Sequence, residues 1–194
     1  MAPTLFSHDD VVISTARVLL RNRFTLSAPD GTPLGVATQR RFSLAEMFTS
    51  SRSIDVEETA TDGTPLRAVL TLTDPFNLLR DSYEVFLPGG AVPLARVTNR
   101  FSLARERFTI TMDGLPDIEA RGSVWRWNFE LASRGATIAT IDTRWSGLGR
   151  FMMGKRTYVL HMTPGLSEHQ RAAIVGTTLC MEMARAKRNA RASS

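Results

Sequence analysis

Along most of the chain, hydrophobic and polar residues alternate in short runs, and residues typical of tight turns separate these runs. The turn signals share a glycine after an aspartate, proline or arginine: Asp30-Gly31, Asp62-Gly63, Pro88-Gly89-Gly90, Asp113-Gly114 and Arg134-Gly135. Alternation with a period of two is typical of half-buried strands, and a glycine turn between two such runs is typical of a hairpin. The pattern predicts about twelve strands, near residues 11–14, 22–27, 34–40, 52–57, 66–72, 82–87, 93–99, 107–112, 117–122, 127–132, 136–144 and 155–162.

Some of the predicted β units resemble one another, at residues 33–44, 93–103 and, more faintly, 135–145. The first two of these segments begin with Pro-Leu and end with Arg-Phe-Ser-Leu. Related β units in series are typical of one closed or nearly closed sheet rather than of separate domains. We therefore expect a single domain over residues 1–194, built as a closed antiparallel β-barrel.

The last part of the chain differs, because residues 171–184, RAAIVGTTLCMEMA, have a helical pattern. Ser167 and Gln170 have the spacing of a capping box, which predicts a helix over about 167–189. Only a narrow stripe of this helix is polar, and a helix that is apolar over most of its circumference is normally buried. The polar stripe contains Arg171, Thr178, Glu182 and Arg185.

We expect this helix to fill the barrel. Its apolar part is about 18 Å long at 1.5 Å per residue, which is similar to the height of a barrel of tilted seven-residue strands. The residues predicted to pack in the core are Ile174, Val175, Gly176, Leu179 and Met183. The alternative is a helix packed outside an open sheet, with its polar stripe in water.

Several short motifs occur in an order that resembles a known family. They are Asp74-Pro75-Phe76, Tyr83-Glu84-Val85, WRWNF at 125–129, IDTRWSG at 141–147, Thr157-Tyr158-Val159 and then the apolar helix. Together they resemble the LURP-one-related and phospholipid-scramblase-like proteins over nearly the whole chain. The resemblance implies the tubby-like fold, a closed barrel of about twelve strands around a central C-terminal helix.

The resemblance implies little about activity. Scramblase-like members are associated with calcium-dependent lipid movement, tubby domains bind phosphoinositides, and many bacterial and plant relatives have no established activity. The chain departs from animal scramblases because it lacks a proline-rich N-terminal region, a cysteine cluster and any carboxylate in residues 161–167. These departures weigh against calcium dependence and against scrambling.

Composition adds information on charge and location. The formal net charge is +5, and of the 24 basic residues only Lys155 and Lys187 are lysines. Arginine suits phosphate-bearing partners, although a genome rich in arginine codons would give the same bias. The single cysteine, Cys180, is typical of a reducing compartment, and we identify neither a signal peptide nor a membrane-spanning run. We expect a cytoplasmic protein, free or peripheral to a membrane.

No catalytic constellation is evident, so we expect a non-enzymatic protein without a cofactor or a metal ion. The histidines, His8, His161 and His169, lack metal-ligand spacing to one another or to the cysteine. The adjacent carboxylates at 9–10 and 57–58 point to opposite faces of an extended chain. Solvated turns are their expected setting.

The hairpin order predicts that charge is separated along the barrel. In an antiparallel meander, carboxylates gather at one end: Asp30, Glu57, Glu58, Asp62, Asp113 and Asp117. Segments 40–52, 100–106, 122–126 and 145–154 fall at the opposite end, which is rich in basic and apolar residues. The residues predicted there to bind a lipid or another anion are Arg40, Arg41, Arg100, Arg105, Arg144, Arg150, Phe151, Met152, Met153 and Lys155.

A basic rim with apolar side chains suits the surface of an anionic membrane. We therefore expect a binding protein whose partner is an anionic phospholipid surface. Three alternatives stay open. The same basic end could bind a protein or a nucleic acid, the protein could scramble phospholipids, or a cavity beside Glu182 could serve an enzyme or a carrier.

Overall fold

The computed structural model describes residues 4–18, 21–40, 52–75, 82–100, 107–123, 128–143 and 156–192. In these ranges a short 3-10 turn, Leu5–Ser7, precedes twelve strands and a helix. The strands are β1 Asp10–Val18, β2 Arg21–Ser27, β3 Pro33–Gln39, β4 Arg52–Thr59, β5 Pro65–Asp74, β6 Ser82–Phe86, β7 Ala95–Arg100, β8 Arg107–Met112, β9 Leu115–Ser123, β10 Asn128–Ser133, β11 Ala136–Asp142 and β12 Arg156–Met162. The helix, α1, is Glu168–Ala192.

The twelve strands form one closed barrel in which each strand pairs antiparallel with its neighbours in sequence. The barrel closes where β1 pairs with β12, with Val11 opposite Leu160 and Ile13 opposite Tyr158. Such a meander follows from hairpin connections, which bring consecutive strands side by side. The predicted closed antiparallel barrel of about twelve strands is confirmed.

Alternation along the strands sorts their side chains between the interior and the outer surface. In β12 the side chains of Tyr158, Leu160 and Met162 belong to the buried core, and His161 between them is partly exposed. The T-shaped contact between the rings of Phe108 and Phe129 lies in the same core, with ring centroids 6.0 Å apart.

The helix α1 lies inside the barrel. All residues from Arg171 to Ala184 are buried, whichever side of the helix they occupy. A Cβ atom built on Gly176 would lie 2.5 Å from Cγ1 of Val85 and 3.3 Å from Cδ2 of Leu72, so the strands approach the helix backbone closely there. The buried C-terminal helix is thus confirmed, and the alternative of a helix outside an open sheet is wrong. The residues predicted for its core are all buried: Ile174, Val175, Gly176, Leu179 and Met183.

The polar stripe of α1 is accommodated inside the barrel by local bonds. The hydroxyl of Thr178 donates to the carbonyl of Ile174 at 2.9 Å. Nη1 of Arg185 lies 3.1 Å from Oε1 of Glu182, three residues earlier on the helix. Buried polar groups are tolerated only when they have hydrogen-bonding or ion-pair partners. These bonds therefore explain how the polar stripe can be buried inside the barrel.

The two ends of the barrel are unlike, and we name them by their strand connections. The near end holds the connections at 28–32, 60–64, 87–94, 113–114 and 134–135, and the far end is the opposite one. The helix enters at the near end, directly after β12. Its last turns reach the far end, where Nζ of Lys187 lies 3.3 Å from Oδ2 of Asp74, the last residue of β5.

The near end is closed by the start of the chain. Leu5 and Phe6, in the 3-10 turn, are buried in the core, and the turn packs against α1. Arg171, in the first turns of the helix, donates to the carbonyl oxygen of His8 at 2.9 Å and also contacts the carboxylate of Asp9. The N-terminal segment is therefore fixed to the beginning of the helix.

The capping box predicted at the helix start is confirmed. The backbone N–H of Gln170 donates to Oγ of Ser167 at 3.3 Å. In return, Oε1 of Gln170 accepts the backbone N–H of Ser167 at 2.9 Å. These reciprocal bonds satisfy two donors that would otherwise be unpaired at the helix terminus.

Candidate anion-binding surface

The carboxylates of the near end are engaged in structural contacts. The side chain of Glu58 is only 10% exposed; it accepts the backbone N–H of Leu5 and Nε of Arg67, both at 2.8 Å. Asp10 bonds to Nδ1 of His161 at 2.7 Å across the β1–β12 pair. The expectation that these carboxylates lie in solvated turns is wrong for Glu58. It is incomplete for Asp9 and Asp10, which are half exposed but paired.

Two near-end aspartates, Asp30 and Asp62, hold identical hairpin turns. Each carboxylate accepts the backbone N–H two residues later, of Thr32 or of Thr64, at 2.8 Å. These bonds favour the ionised carboxylate and lower the pKa of both aspartates. These two Asp-Gly sequences thus belong to turns that the aspartate side chain stabilises by accepting a backbone hydrogen bond.

The described charges of the two ends differ in sign. Carboxylates dominate the near-end connections and adjacent residues, with Asp9, Asp10, Asp30, Glu57, Glu58, Asp62, Asp113, Asp117 and Glu168 against Arg67, Arg134 and Arg171. At the far end, arginines stand within three residues of the strand termini: Arg17, Arg21, Arg23, Arg52, Arg100, Arg107, Arg121 and Arg156. The carboxylates in the same far-end positions are Asp55, Asp74, Glu84, Glu130 and Asp142, and Arg40, one residue after β3, is a further arginine there.

The predicted anion-binding residues fall mostly outside the part of the chain that the structure describes. This holds for Arg41, Arg105, Arg144, Arg150, Phe151, Met152, Met153 and Lys155, for which binding stays a prediction. Arg40 is described. Its Nε and Nη2 atoms donate to the two oxygens of Asp55 at 2.8 and 2.9 Å, so its charge is largely compensated. Arg100 is the last residue of β7.

The strand register brings three far-end arginines to one level of the barrel. Arg100 on β7 is opposite Arg107 on β8, and Arg107 is opposite Arg121 on β9. Residues directly opposite in an antiparallel pair share a face of the sheet. The side chains of Arg107 and Arg121 lie on the outer face, because their sequence neighbours Phe108 and Ala120 are buried in the core. We call Arg107 and Arg121 the arginine row.

The charges of the arginine row are only partly compensated. Arg107 is exposed, and no ion pair joins it to another residue of the described ranges. Arg121 donates through Nε and Nη2 to Oε2 of Glu119, and these side chains are 66% and 48% exposed. An ion pair this exposed contributes about 0–1 kcal/mol. It also leaves three of the five guanidinium N–H donors of Arg121 unused by Glu119.

Hydroxyl groups adjoin the arginine row on the outer surface. Thr98 on β7 is opposite Thr109 on β8, one side-chain level closer to the near end, and both are partly exposed. One level further, Arg96 donates through Nε and Nη2 to Oε1 of Glu84, which stands directly opposite on β6. Arg107 thus carries a positive charge at the far rim without an ion pair in the described ranges, and threonine hydroxyls adjoin it.

Arg107 and Arg121 were not among the predicted site residues. The predicted site residues lie mainly in the segments between strands, whereas Arg107 and Arg121 lie within the strands, close to their termini. A usable signal exists in the sequence, because Arg100 and Arg107 flank the hairpin connection at 101–106 symmetrically. Residues that flank a connection in this way pair in register, so the hairpin itself places two arginines side by side.

Other chemistry has little support in the described ranges. They contain no group of three or more His, Cys, Asp and Glu residues that could hold a metal ion. Cys180 is fully buried, and this burial raises the pKa of its thiol. No helix within those ranges combines the length and the hydropathy that crossing a membrane requires.

The fold and this surface define a class: a closed β-barrel filled by its own C-terminal helix, with arginines at its far rim. A model of the LURP-one-related family matches residues 5–182. The chain therefore belongs to the LURP-one-related family. A search of the curated proteins and a search of the solved structures each found no match.

Proposed function

We propose that this LURP-one-related barrel is a non-enzymatic protein that binds anionic phospholipid surfaces with its far end. The observation that carries the proposal is the difference between the two ends. Near-end carboxylates such as Glu58 and Asp10 are bound within the fold, whereas Arg107 at the far rim has no partner in the described ranges. A positive rim opposite a negative end would orient the barrel on a negative surface.

The magnitude of the effect suits reversible attachment. Each lysine or arginine close to an anionic membrane surface contributes about 1 kcal/mol. The two arginines of the row would supply about 2 kcal/mol, which is weak binding by itself. Apolar residues in the sequence between the far-end strand termini, including Phe151, Met152 and Met153, would add to it if they insert among the lipids.

The resemblance to scramblase-like proteins and to tubby domains supports a lipid partner in a general way. Lipid transport across a bilayer would require more than surface attachment, and nothing in the described ranges provides a calcium site. The proposal is accordingly limited to docking on the membrane surface. A nucleic acid as the partner of the same rim is an outcome that the experiments below can identify.

The test is co-sedimentation of the full chain with liposomes of phosphatidylcholine alone or mixed with phosphatidylserine, at low and moderate salt, with and without calcium. We expect binding to the anionic liposomes only, weakened by salt because the attraction is screened. Arg107→Glu should weaken this binding. Arg134→Glu, which makes the same charge change at the near end, should not. Equal binding of both liposomes, or no binding to either, would overturn the proposal.

A short oligonucleotide added without liposomes separates the alternatives. Oligonucleotide binding with a steep salt dependence, together with absence of liposome binding, would identify a nucleic-acid partner instead. Liposome binding that appears only with calcium would restore the scramblase-like interpretation.

A further inference from the structure

We infer that the arginine row is a headgroup site that selects lipids bearing a phosphomonoester, such as phosphatidate, over lipids that carry only a phosphodiester. This inference rests on the proposed membrane docking and adds the chemical class of lipid. It depends on Arg107 and Arg121, which face each other on the outer surface of the β8–β9 pair.

The spacing of Arg107 and Arg121 allows their guanidinium groups to reach the same small anion. Side chains directly opposite in an antiparallel pair have Cβ atoms about 4.5–5.5 Å apart. Arginine side chains that start at this separation can converge on one small anion placed between them. Each guanidinium offers a planar fork of donors that matches two oxygens of a phosphate.

Two arginines placed directly opposite each other lower the stability of the fold. Like charges directly opposite on neighbouring strands are unfavourable. Elsewhere on the outer face, two arginines stand beside carboxylates and not beside other arginines: Arg96 stands opposite Glu84, and Arg40 pairs with Asp55. Arg121 has Glu130 opposite it on β10, but on β8 it stands opposite Arg107. An anion bound between Arg107 and Arg121 would neutralise the repulsion of these two charges.

A phosphomonoester and a phosphodiester differ in charge and in the number of terminal oxygens. A phosphomonoester carries about −1.5 to −2 charges at neutral pH and has three terminal oxygens. It can therefore accept paired hydrogen bonds from Arg107 and from the donors of Arg121 that Glu119 leaves unused. A phosphodiester has a single charge and two terminal oxygens, so one arginine satisfies it. A site with two converging arginines therefore favours the monoester.

The surroundings favour a headgroup held at a membrane over a soluble phosphate. The row lies on an exposed outer rim, not in an enclosed pocket, and the hydroxyls of Thr98 and Thr109 adjoin it on the same surface. Such an open site would hold a small soluble anion weakly. A lipid surface adds the long-range attraction of the remaining far-end arginines, which a single soluble phosphate lacks.

The experiment compares phosphatidate with phosphatidylserine in phosphatidylcholine vesicles whose mole fractions are adjusted to equal zeta potential. We expect wild-type protein to bind the phosphatidate vesicles about tenfold more tightly, as one additional charge-assisted pair of hydrogen bonds would give. Arg107→Gln should reduce phosphatidate binding to the level of phosphatidylserine. Arg134→Gln, the near-end control with the same loss of charge, should keep the preference.

The outcomes separate this inference from the proposed function. Equal binding of the two anionic vesicles by wild-type protein, or a preference that survives in the double variant Arg107→Gln/Arg121→Gln, would overturn the phosphomonoester site while leaving membrane docking intact. If wild-type protein bound none of the vesicles, both the phosphomonoester site and the proposed membrane docking would be overturned. Competition by glycerol 3-phosphate at a concentration no higher than that of the vesicle phosphatidate, at constant ionic strength, would show that the soluble monoester is a sufficient ligand, and would thus contradict the membrane source.

Discussion

The near and far ends of the barrel use charged residues in opposite ways. At the near end Glu58 is buried between the backbone of Leu5 and the guanidinium of Arg67, and Asp10 is bonded to His161. At the far end Arg107 stands exposed opposite Arg121, and Glu130 on β10 stands opposite Arg121 on its other side. Charge at the near end connects parts of the chain that are distant in sequence. At the far end such connections also occur, between Lys187 and Asp74 and between Arg40 and Asp55, but no ion pair joins Arg107 to another residue of the described ranges.

This difference indicates which substitutions should affect folding and which should affect binding. A charged group that is buried and bonded cannot be removed without leaving its partner unsatisfied. An exposed charge with no partner can be removed at little cost to the fold. The predictions below test this division, and the first tests the filled barrel that separates the two ends.

The largest effect is expected for Gly176→Leu. The helix backbone at Gly176 is so close to Val85 and Leu72 that even a methyl group would overlap their side chains. Overpacking of a core typically costs 1–3 kcal/mol, and a leucine here should cost at least about 3 kcal/mol. We expect a large loss of soluble protein and a lower urea midpoint, measured by circular dichroism.

Ala186→Leu is the matched control, because Ala186 lies on the same helix beyond its fully buried part. Its unfolding free energy should change by no more than about 0.5 kcal/mol. Gly176→Leu with the stability of wild-type protein would contradict a helix enclosed by the strands.

The next effect is expected for Glu58→Ala. This substitution leaves the backbone N–H of Leu5 without its acceptor in the buried near end and removes the partner of Arg67. An unsatisfied buried donor costs about 1–3 kcal/mol. Urea unfolding should show a loss of this size. The neighbour variant Glu57→Ala, which touches neither partner, should lose less than about 0.5 kcal/mol, and equal losses would argue against a special role of Glu58.

Much of the fold was predictable from the sequence, and the reasons are physical. Glycine turns and period-two alternation specify hairpins locally, so strand order and closure follow from local signals. The burial of α1 was predictable because the helix has too little polar surface to face water. These signals need no knowledge of distant contacts.

The roles of individual charges were less predictable, because they depend on contacts between distant parts of the chain. Glu58 meets Leu5 only after the barrel has closed, across 53 positions of sequence. Arg107 and Arg121 meet through the register of β8 and β9, which loop composition does not reveal. Most of the predicted site residues, such as Arg41 and Arg150, lie outside the described ranges, so the structure adds nothing to them.

A smaller effect is expected from the paired turn variant Asp30→Ala/Asp62→Ala. The backbone N–H groups of Thr32 and Thr64 lower the pKa of these carboxyls in the folded protein. A carboxyl with a lowered folded pKa contributes stability above its unfolded pKa and loses that contribution as the pH falls through the folded value. The variant should therefore be less stable than wild-type protein at pH 7, by less than Glu58→Ala, and the difference should shrink towards pH 3. A difference that grows as the solution is acidified, in thermal unfolding measured across this range, would reverse the assigned sign.

The smallest effects are expected from two outer-surface variants, and their signs should be opposite. Arg107→Gln removes a charge that stands opposite Arg121, so the fold should be unchanged or a few tenths of a kcal/mol more stable. Arg96→Gln breaks the exposed pair with Glu84, so it should lose about 0–1 kcal/mol. Both changes should diminish in urea unfolding at about 1 M salt, where charges are screened within about 3 Å. If Arg107→Gln destabilised the fold as much as Arg96→Gln does, Arg107 would have a structural partner, and the far rim would no longer differ from the near end.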